Sequence, residues 1–299
     1  MKALLPFFLL FVSSVSFAQK ITEEVFSKKL NEKRGLTIVL PESYDESKNK
    51  KYPLLLVLDG DYLLDPISGI FSYATYWDDL PETIIVGLDQ TDREKDTETS
   101  EETGIPEENG DKFYEFIELE LMPFLEKKYR LAPFKVVAGH DWTAGFLNSF
   151  LYKNSPLFNG YIAISPELPA NIETILPEKL AALQKNTYYY YLASAEGDVD
   201  RIKKSVKALD ALIKPIDNKS LKYRYDDFGQ ASHYSLVAFA LPQGIYHIFG
   251  EYQPISSVEY QTKIVTLPPG YVDYLKAKYG QLNKNLGLEV PVRLNDYKA

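Results

Sequence analysis

The chain has no cysteine and only three histidines among 299 residues. Without thiols it can build no disulfide framework, thiolate nucleophile or thiolate metal ligand, so an oxidising compartment is tolerated but not exploited. Three histidines with no metal-type spacing argue against a dedicated zinc site, and neither a metal nor another cofactor is expected. Cationic charge is also in short supply, with 33 Lys and Arg against 42 Asp and Glu and a net charge of -9. Nucleic acid and anionic membrane surfaces both select clustered cations, so neither is expected as a partner. Beyond the N-terminus no apolar run is long enough to span a bilayer.

What is present begins with Met1-Lys2, an apolar stretch from Ala3 to Val12, and a small-residue site at Ser16-Phe17-Ala18. A basic start, an apolar core about half of the ~20 residues needed to cross, and a small-x-small site read as a secretory signal peptide within residues 1–19. Cleavage is expected before Gln19, which places the mature chain in the periplasm or outside the cell. About 280 residues then remain, enough for one large α/β domain, and no long flexible linker divides them.

Strand-like and helix-like stretches alternate along those residues. Tyr52 to Leu58, Thr83 to Leu88, Phe134 to Gly139, Tyr161 to Ser165 and Tyr188 to Leu192 are apolar runs of the kind found in strands buried on both faces. Gly35 to Leu40 is a β-branched run closed by Pro41. Asp111 to Lys128 repeats apolar residues every three or four positions, as a helix requires, and Phe146 to Tyr152 and Ile202 to Ile213 behave similarly. Buried strands separated by amphipathic helices imply a mostly parallel sheet covered on both faces. The acidic stretch from Asp89 to Gly110 fits a solvated loop over the carboxyl edge, where open α/β sheets bind ligands.

One segment carries a chemical signature. In Val137-Ala138-Gly139-His140-Asp141-Trp142-Thr143-Ala144-Gly145 an apolar strand runs through Gly-x-Asp-x into a helix, the context of a nucleophile elbow. Such a turn lifts one side chain out of the sheet, in front of a helix N-terminus that favours negative charge. Here that side chain is Asp141.

With these residues in view, the sequence resembles the putative-esterase family of α/β hydrolases, which includes esterase D relatives and siderophore esterases. The matching stretches run in that family's order: Tyr52-Pro53 through Leu58-Asp59-Gly60, Ile84 to Gly87 with Asp92-Arg93, Leu121 to Glu126, Pro156-Leu157-Phe158, Ser165-Pro166, and Gln230-Ala231-Ser232-His233. The resemblance implies an α/β-hydrolase fold over residues 20–250; residues 251–299, with Leu267-Pro268-Pro269-Gly270 ahead of a helix-like Tyr271 to Leu286, read as a C-terminal extension packed on the same domain, expected beside the pocket as a partial cover. It implies a small-molecule substrate or ligand. It puts His233 in the catalytic histidine position, and the backbone of Gly60, Asp61 and Trp142 in the oxyanion hole. The acid is expected after the strand ending at Leu192, with Glu196 and Asp198 both candidates.

The departures bear on chemistry. That family reads Gly-His-Ser-x-Gly-Gly where this chain has Gly139-His140-Asp141-Trp142-Thr143-Ala144, so serine is replaced by aspartate and two glycines gain side chains that threaten the turn. Gly139 to Trp142 instead resembles, over four residues, the elbow of haloalkane dehalogenases and epoxide hydrolases. A carboxylate attacking an ester must expel an alkoxide, a leaving group worse by about 10 pKa units, and at 1.36 kcal/mol each the intermediate reverts by over ~10 kcal/mol. Attack on an sp³ carbon avoids that reversal. Two function classes follow: a hydrolase working through Asp141, His233 and an acid, or a binding protein that keeps the fold without the chemistry.

Overall fold

Strands with every residue buried can exist only at the centre of a sheet, and three such strands organise this chain. The computed structural model describes residues 19–267 and 271–297; the signal-peptide reading rests on residues outside that range. Eight strands, β1 (Gln19–Ser27), β2 (Glu32–Leu40), β3 (Tyr52–Val57), β4 (Ile84–Leu88), β5 (Leu131–His140), β6 (Gly160–Ile164), β7 (Tyr188–Gly197) and β8 (Leu221–Ser232), form one sheet in the order β1-β2-β4-β3-β5-β6-β7-β8. β2 runs antiparallel to both of its neighbours, β1 and β4, and every other pairing is parallel. β3, β4 and β6 are buried at every position, each large apolar side chain contributing roughly 1.5–3 kcal/mol by leaving water.

The helices are α1 (Gly60–Tyr76), α2 (Arg93–Asp96), α3 (Glu108–Glu115), α4 (Met122–Lys128), α5 (Trp142–Phe146), α6 (Ile172–Ala182), α7 (Asp200–Ile213), α8 (Leu236–Phe249), α9 (Ser257–Glu259) and α10 (Tyr271–Leu286). One sheet face packs on Phe113, Leu125, Leu176 and Val206 of α3, α4, α6 and α7. The other packs on Ile67, Ile245 and Leu282 of α1, α8 and α10. This is the expected layered α/β architecture, an α/β-hydrolase fold with helices on both faces.

Three local expectations are corrected. The single helix over 111–128 is divided by a π-helical stretch, Phe116–Leu121, ahead of Pro123, whose missing N–H interrupts the helical ladder. The stretch from Phe146 to Tyr152 forms a 3-10 helix over Leu147–Leu151 rather than an α-helix. Among the described residues, none of the C-terminal extension lines the cavity beside the elbow. Gly287 (φ +62), the residue after α10, packs so closely that a Cβ would lie 2.3 Å from the Pro133 ring, which sets the end of α10 against the start of β5, at the edge opposite the elbow.

Candidate functional site

Each strand end at the carboxyl edge delivers one part of the site. β5 ends at His140 and the chain turns at Asp141 with φ 61° and ψ -119°, a sparsely populated positive-φ backbone that costs a non-glycine residue about 1–3 kcal/mol. Backbone bonds fix the turn: Asp141 N–H donates to Ile164 O (3.0 Å), and Asp141 O accepts from the N–H groups of Gly145 and Glu167 (each 3.0 Å). Gly139 is required by close approach, because a Cβ there would lie 2.6 Å from Thr143 Oγ1. The side chains gained at Thr143 and Ala144 leave the turn intact, both being fully buried. Thr143 Oγ1 donates to Asp59 and accepts the His140 N–H at 3.1 Å.

Asp59 ends the buried run after β3 and is itself fully buried. Its Oδ1 lies 2.9 Å from Arg93 Nε and its Oδ2 accepts the His140 N–H at 3.0 Å. Arg93 opens α2 inside the acidic 89–110 stretch, so that stretch is more than a solvated loop. Its Nη2 donates to His140 O at 2.8 Å, and its Nη1 stands 3.9 Å from Asp141 Oδ2. Burial pushes the Asp141 carboxyl up, opposed by the charges of His233 and Arg93 and by the Trp142 N–H.

His233 follows β8. Its Nδ1 is 2.8 Å from Asp198 Oδ1, and Asp198 is held on its other oxygen by the Ser165 hydroxyl (2.6 Å), which also lies 3.0 Å from Nδ1. Val199 N–H donates to Asp198 Oδ1 at 2.8 Å. These bonds draw the Asp198 carboxyl below its ordinary value although burial opposes it. The hydrogen bond to Asp198 raises the His233 imidazole, burial works against that, and the negative charges of Asp198 and Asp141 reinforce it. With Nδ1 engaged by the acid, Nε2 is the ring nitrogen left for chemistry.

Of the two acid candidates, then, Asp198 lies against the imidazole. Glu196 lies on the surface with Lys203 (3.1 Å) and Lys207 (3.3 Å) as its partners. Gly60 and Asp61 are the first two residues of α1, and Trp142 the first of α5, positions whose N–H groups have no intrahelical acceptor. The Trp142 N–H is turned to the Asp141 carboxylate. Gly60 is needed for packing, since a Cβ would lie 2.7 Å from Gly87 C. His140 is a packing residue: Nδ1 bonds Tyr62 Oη (3.1 Å), Nε2 bonds His233 O (3.2 Å), and burial lowers its pKa to about 4. A cavity of about 570 Å³ opens beside the elbow, walled by Trp142, Phe146 and Leu168 and rimmed by Glu94, Glu101 and Glu167.

Sequence reasoning assigned no role to Asp59, Arg93 or Ser165. A signal existed for each: an aspartate closing an apolar strand, an arginine inside an acidic stretch, and Ser165-Pro166 at a strand end. Among the described residues no cluster of three or more His, Cys, Asp or Glu could hold a metal, and no helix is long and apolar enough to cross a membrane.

Comparisons with known proteins bear on the fold and on family likeness. A family model described as "Putative esterase" matches residues 27–145. No curated protein matches the chain. An uncharacterised protein from Capnocytophaga ochracea is 28% identical with a TM-score of 0.87, over 94% of this chain and 78% of that one. An IroE-like serine hydrolase from Shewanella oneidensis is 22% identical with a TM-score of 0.75, over 94% and 92%. A siderophore hydrolase from Aspergillus nidulans is 17% identical with a TM-score of 0.63, over 84% and 99%. The chain has an α/β-hydrolase fold, and residues 27–145 of it match the putative-esterase family model.

Proposed function

We propose that the chain is an exported hydrolase of small molecules in which Asp141 is the nucleophile, His233 the general base and Asp198 the acid that orients it. The observation that carries this reading is the His233–Asp198 pair at 2.8 Å beside an elbow that holds Asp141 at φ 61°. A relic site has no need to keep a strained backbone, a buried acid and a paired histidine together. Leaving-group chemistry directs the carboxylate to an sp³ carbon. An Asp141 oxygen displaces the leaving group, giving an alkyl ester on the enzyme and a released anion. That step removes the Asp141 charge, so His233 binds its proton less tightly and Nε2 is free to accept one from water. The hydroxide attacks the Asp141 carbonyl carbon, the N–H groups of Gly60, Asp61 and Trp142 stabilise the oxyanion, and the alcohol leaves with the proton from His233. The net reaction consumes one water and restores Asp141 with a water-derived oxygen. Export with cleavage before Gln19 rests on the N-terminal sequence; mass analysis finding Met1 on protein outside the cell would refute the cleavage, and finding the protein retained in the cytoplasm would refute export.

The test is single turnover in ¹⁸O-labelled water with haloalkanes, epoxides and p-nitrophenyl esters, followed by mass analysis of the Asp141 peptide. Label in Asp141 establishes the covalent route; brisk turnover that survives Asp141→Ala overturns it. A second reading, a ligand-binding protein without turnover, is favoured by the Arg93 guanidinium and Trp142 N–H already facing Asp141. Absence of turnover in the wild type and in Asp141→Ser would put that reading first.

A further inference from the structure

Arg34 and Asp96 are among the most deeply buried charges in the molecule, with side chains 2% and 1% exposed, and no step of the proposed reaction uses them. They are 62 residues apart in sequence and form a two-pronged pair, one prong being Arg34 Nη2 to Asp96 Oδ1 at 2.6 Å. Glu32 Oε1 lies 2.6 Å from Arg34 Nη2, and the guanidinium lies 5.4 Å from the centre of the Phe113 ring. Arg34 stands on β2, which pairs antiparallel with β4 at Leu36 opposite Leu88, so it sits where the chain leaves β4 for the acidic stretch. Asp96 is the last residue of α2 and Arg93 the first.

A helix of one turn has no stability of its own, since nucleation costs more than four residues return. Its local bonds, Asp92 Oδ1 accepting from Lys95 N–H (3.2 Å) and Arg93 O accepting from the Thr97 hydroxyl (2.7 Å), close the turn but do not tie it to the sheet. Stability does not require an ion pair there either, because a buried pair is commonly replaced by apolar residues at no loss. A bidentate pair does fix position and orientation.

We infer that the Arg34–Asp96 pair is the positioning device of the site. It clamps α2 to β2, so that Arg93, one turn away, reaches Asp59, the His140 carbonyl and the face of Asp141. Arg34 and Asp96 touch no reacting group and act through Arg93 alone. The inference rests on the proposed function only for its effect on turnover; the placement of Arg93 is readable without any substrate.

The test reads the His233 imidazole by NMR titration in the full mature chain. The charges that face this ring are Asp198, Asp141 and Arg93, with the His140 ring tilted beside it at 4.6 Å between ring centres. Arg93→Gln removes a cation and should raise the His233 midpoint. Arg34→Met with Asp96→Leu should leave thermal stability equal or higher, yet shift His233 upward by the same amount, and adding Arg93→Gln should move it no further. Asp96→Asn, which keeps the shape, should shift it part of the way. An unmoved His233 in the apolar double variant, with Arg93→Gln shifting it, overturns the inference, and so does an unmoved His233 in Arg93→Gln itself. A chain without turnover that shows the predicted shifts would refute the proposed reaction and leave this clamp standing.

Discussion

The two halves of the site depart from the esterase pattern to different degrees. On the histidine side, Ser165, Asp198 and His233 form a connected chain of hydrogen bonds of 2.6 to 3.0 Å, an arrangement that orients an imidazole for proton transfer. On the elbow side the backbone turn is kept, but a carboxylate stands in the serine position, and Thr143 fills space that the family leaves to glycine. Asp59 accommodates the change by accepting from the Thr143 hydroxyl. Proton-transfer machinery is thus retained while the group it would serve is exchanged. In the proposed reaction the carboxylate needs no base to attack, and the histidine serves the water step.

The largest expected effect breaks the elbow side. Asp141→Ala should lower single-turnover cleavage by about 10⁴ or more, the scale on which losing a nucleophile is felt, without loss of fold. Asp141→Ser should redirect the site, with lower activity on alkyl substrates and measurable hydrolysis of p-nitrophenyl esters, because a hydroxyl activated by His233 can be acylated productively. If both variants keep wild-type rates on alkyl substrates, the two halves do not form one site.

Next in size is a break on the histidine side. Asp198→Asn should cost about 10²–10⁴ in the water step, because the amide stabilises the wrong tautomer of His233. Ester should then accumulate on Asp141 and be visible by mass. The variant also tests linkage. The Asp198 carboxyl lies below its unfolded value of 3.8, so its stabilisation is present above that pH and lost as pH falls through the folded value. The His233 imidazole lies above 6.5, so its stabilisation is complete below 6.5 and lost as pH rises through the folded value. Melting curves of the wild type minus Asp198→Asn should therefore differ most between those limits.

How much of this was legible in sequence depends on what fixed each element. β3, β4 and β6 were readable because burial on both faces forces continuous apolar runs. β1 and β8 were not, because edge strands carry charges that guard against further pairing; β8 places Lys222, Arg224, Asp226 and Asp227 along its length. The elbow was readable because Gly139 and Gly145 are demanded by backbone approach. The choice between Glu196 and Asp198 was not, since both follow the same strand. It turns on where β7 stops pairing: the register with β8 shifts between Ala195 and Gly197, and Asp198 lies beyond that shift, facing His233. The 3-10 stretch after α5 escaped because local periodicity does not distinguish it from an α-helix.

A smaller effect separates charge from shape. Asp141→Asn keeps the volume and removes one of the two carboxylates that raise the His233 imidazole, so the His233 midpoint should fall in an NMR titration. Because burial holds the Asp141 carboxyl above its ordinary value, the ionised side chain is a cost to the folded state at neutral pH. Asp141→Asn should then melt higher than the wild type at pH 7, and the gap should close on acidification as Asp141 becomes protonated. A lower melting temperature at pH 7 would mean that the contacts of Asp141 with Arg93 and the Trp142 N–H outweigh its burial.

The smallest expected effect sharpens the comparison most. Glu196 is two residues from Asp198 and was as strong a candidate for the acid from sequence, yet its carboxylate is in solvent with Lys203 and Lys207. Exposed ion pairs of this kind exchange freely with water and are screened by salt, so they hold no geometry at a distance. Glu196→Gln should leave the rate, the ester accumulated on Asp141 and the His233 titration unchanged, at low and at high ionic strength. A loss of turnover in Glu196→Gln comparable with that of Asp198→Asn would mean that the β7–α7 loop rearranges in the working enzyme and that Glu196 takes over the imidazole.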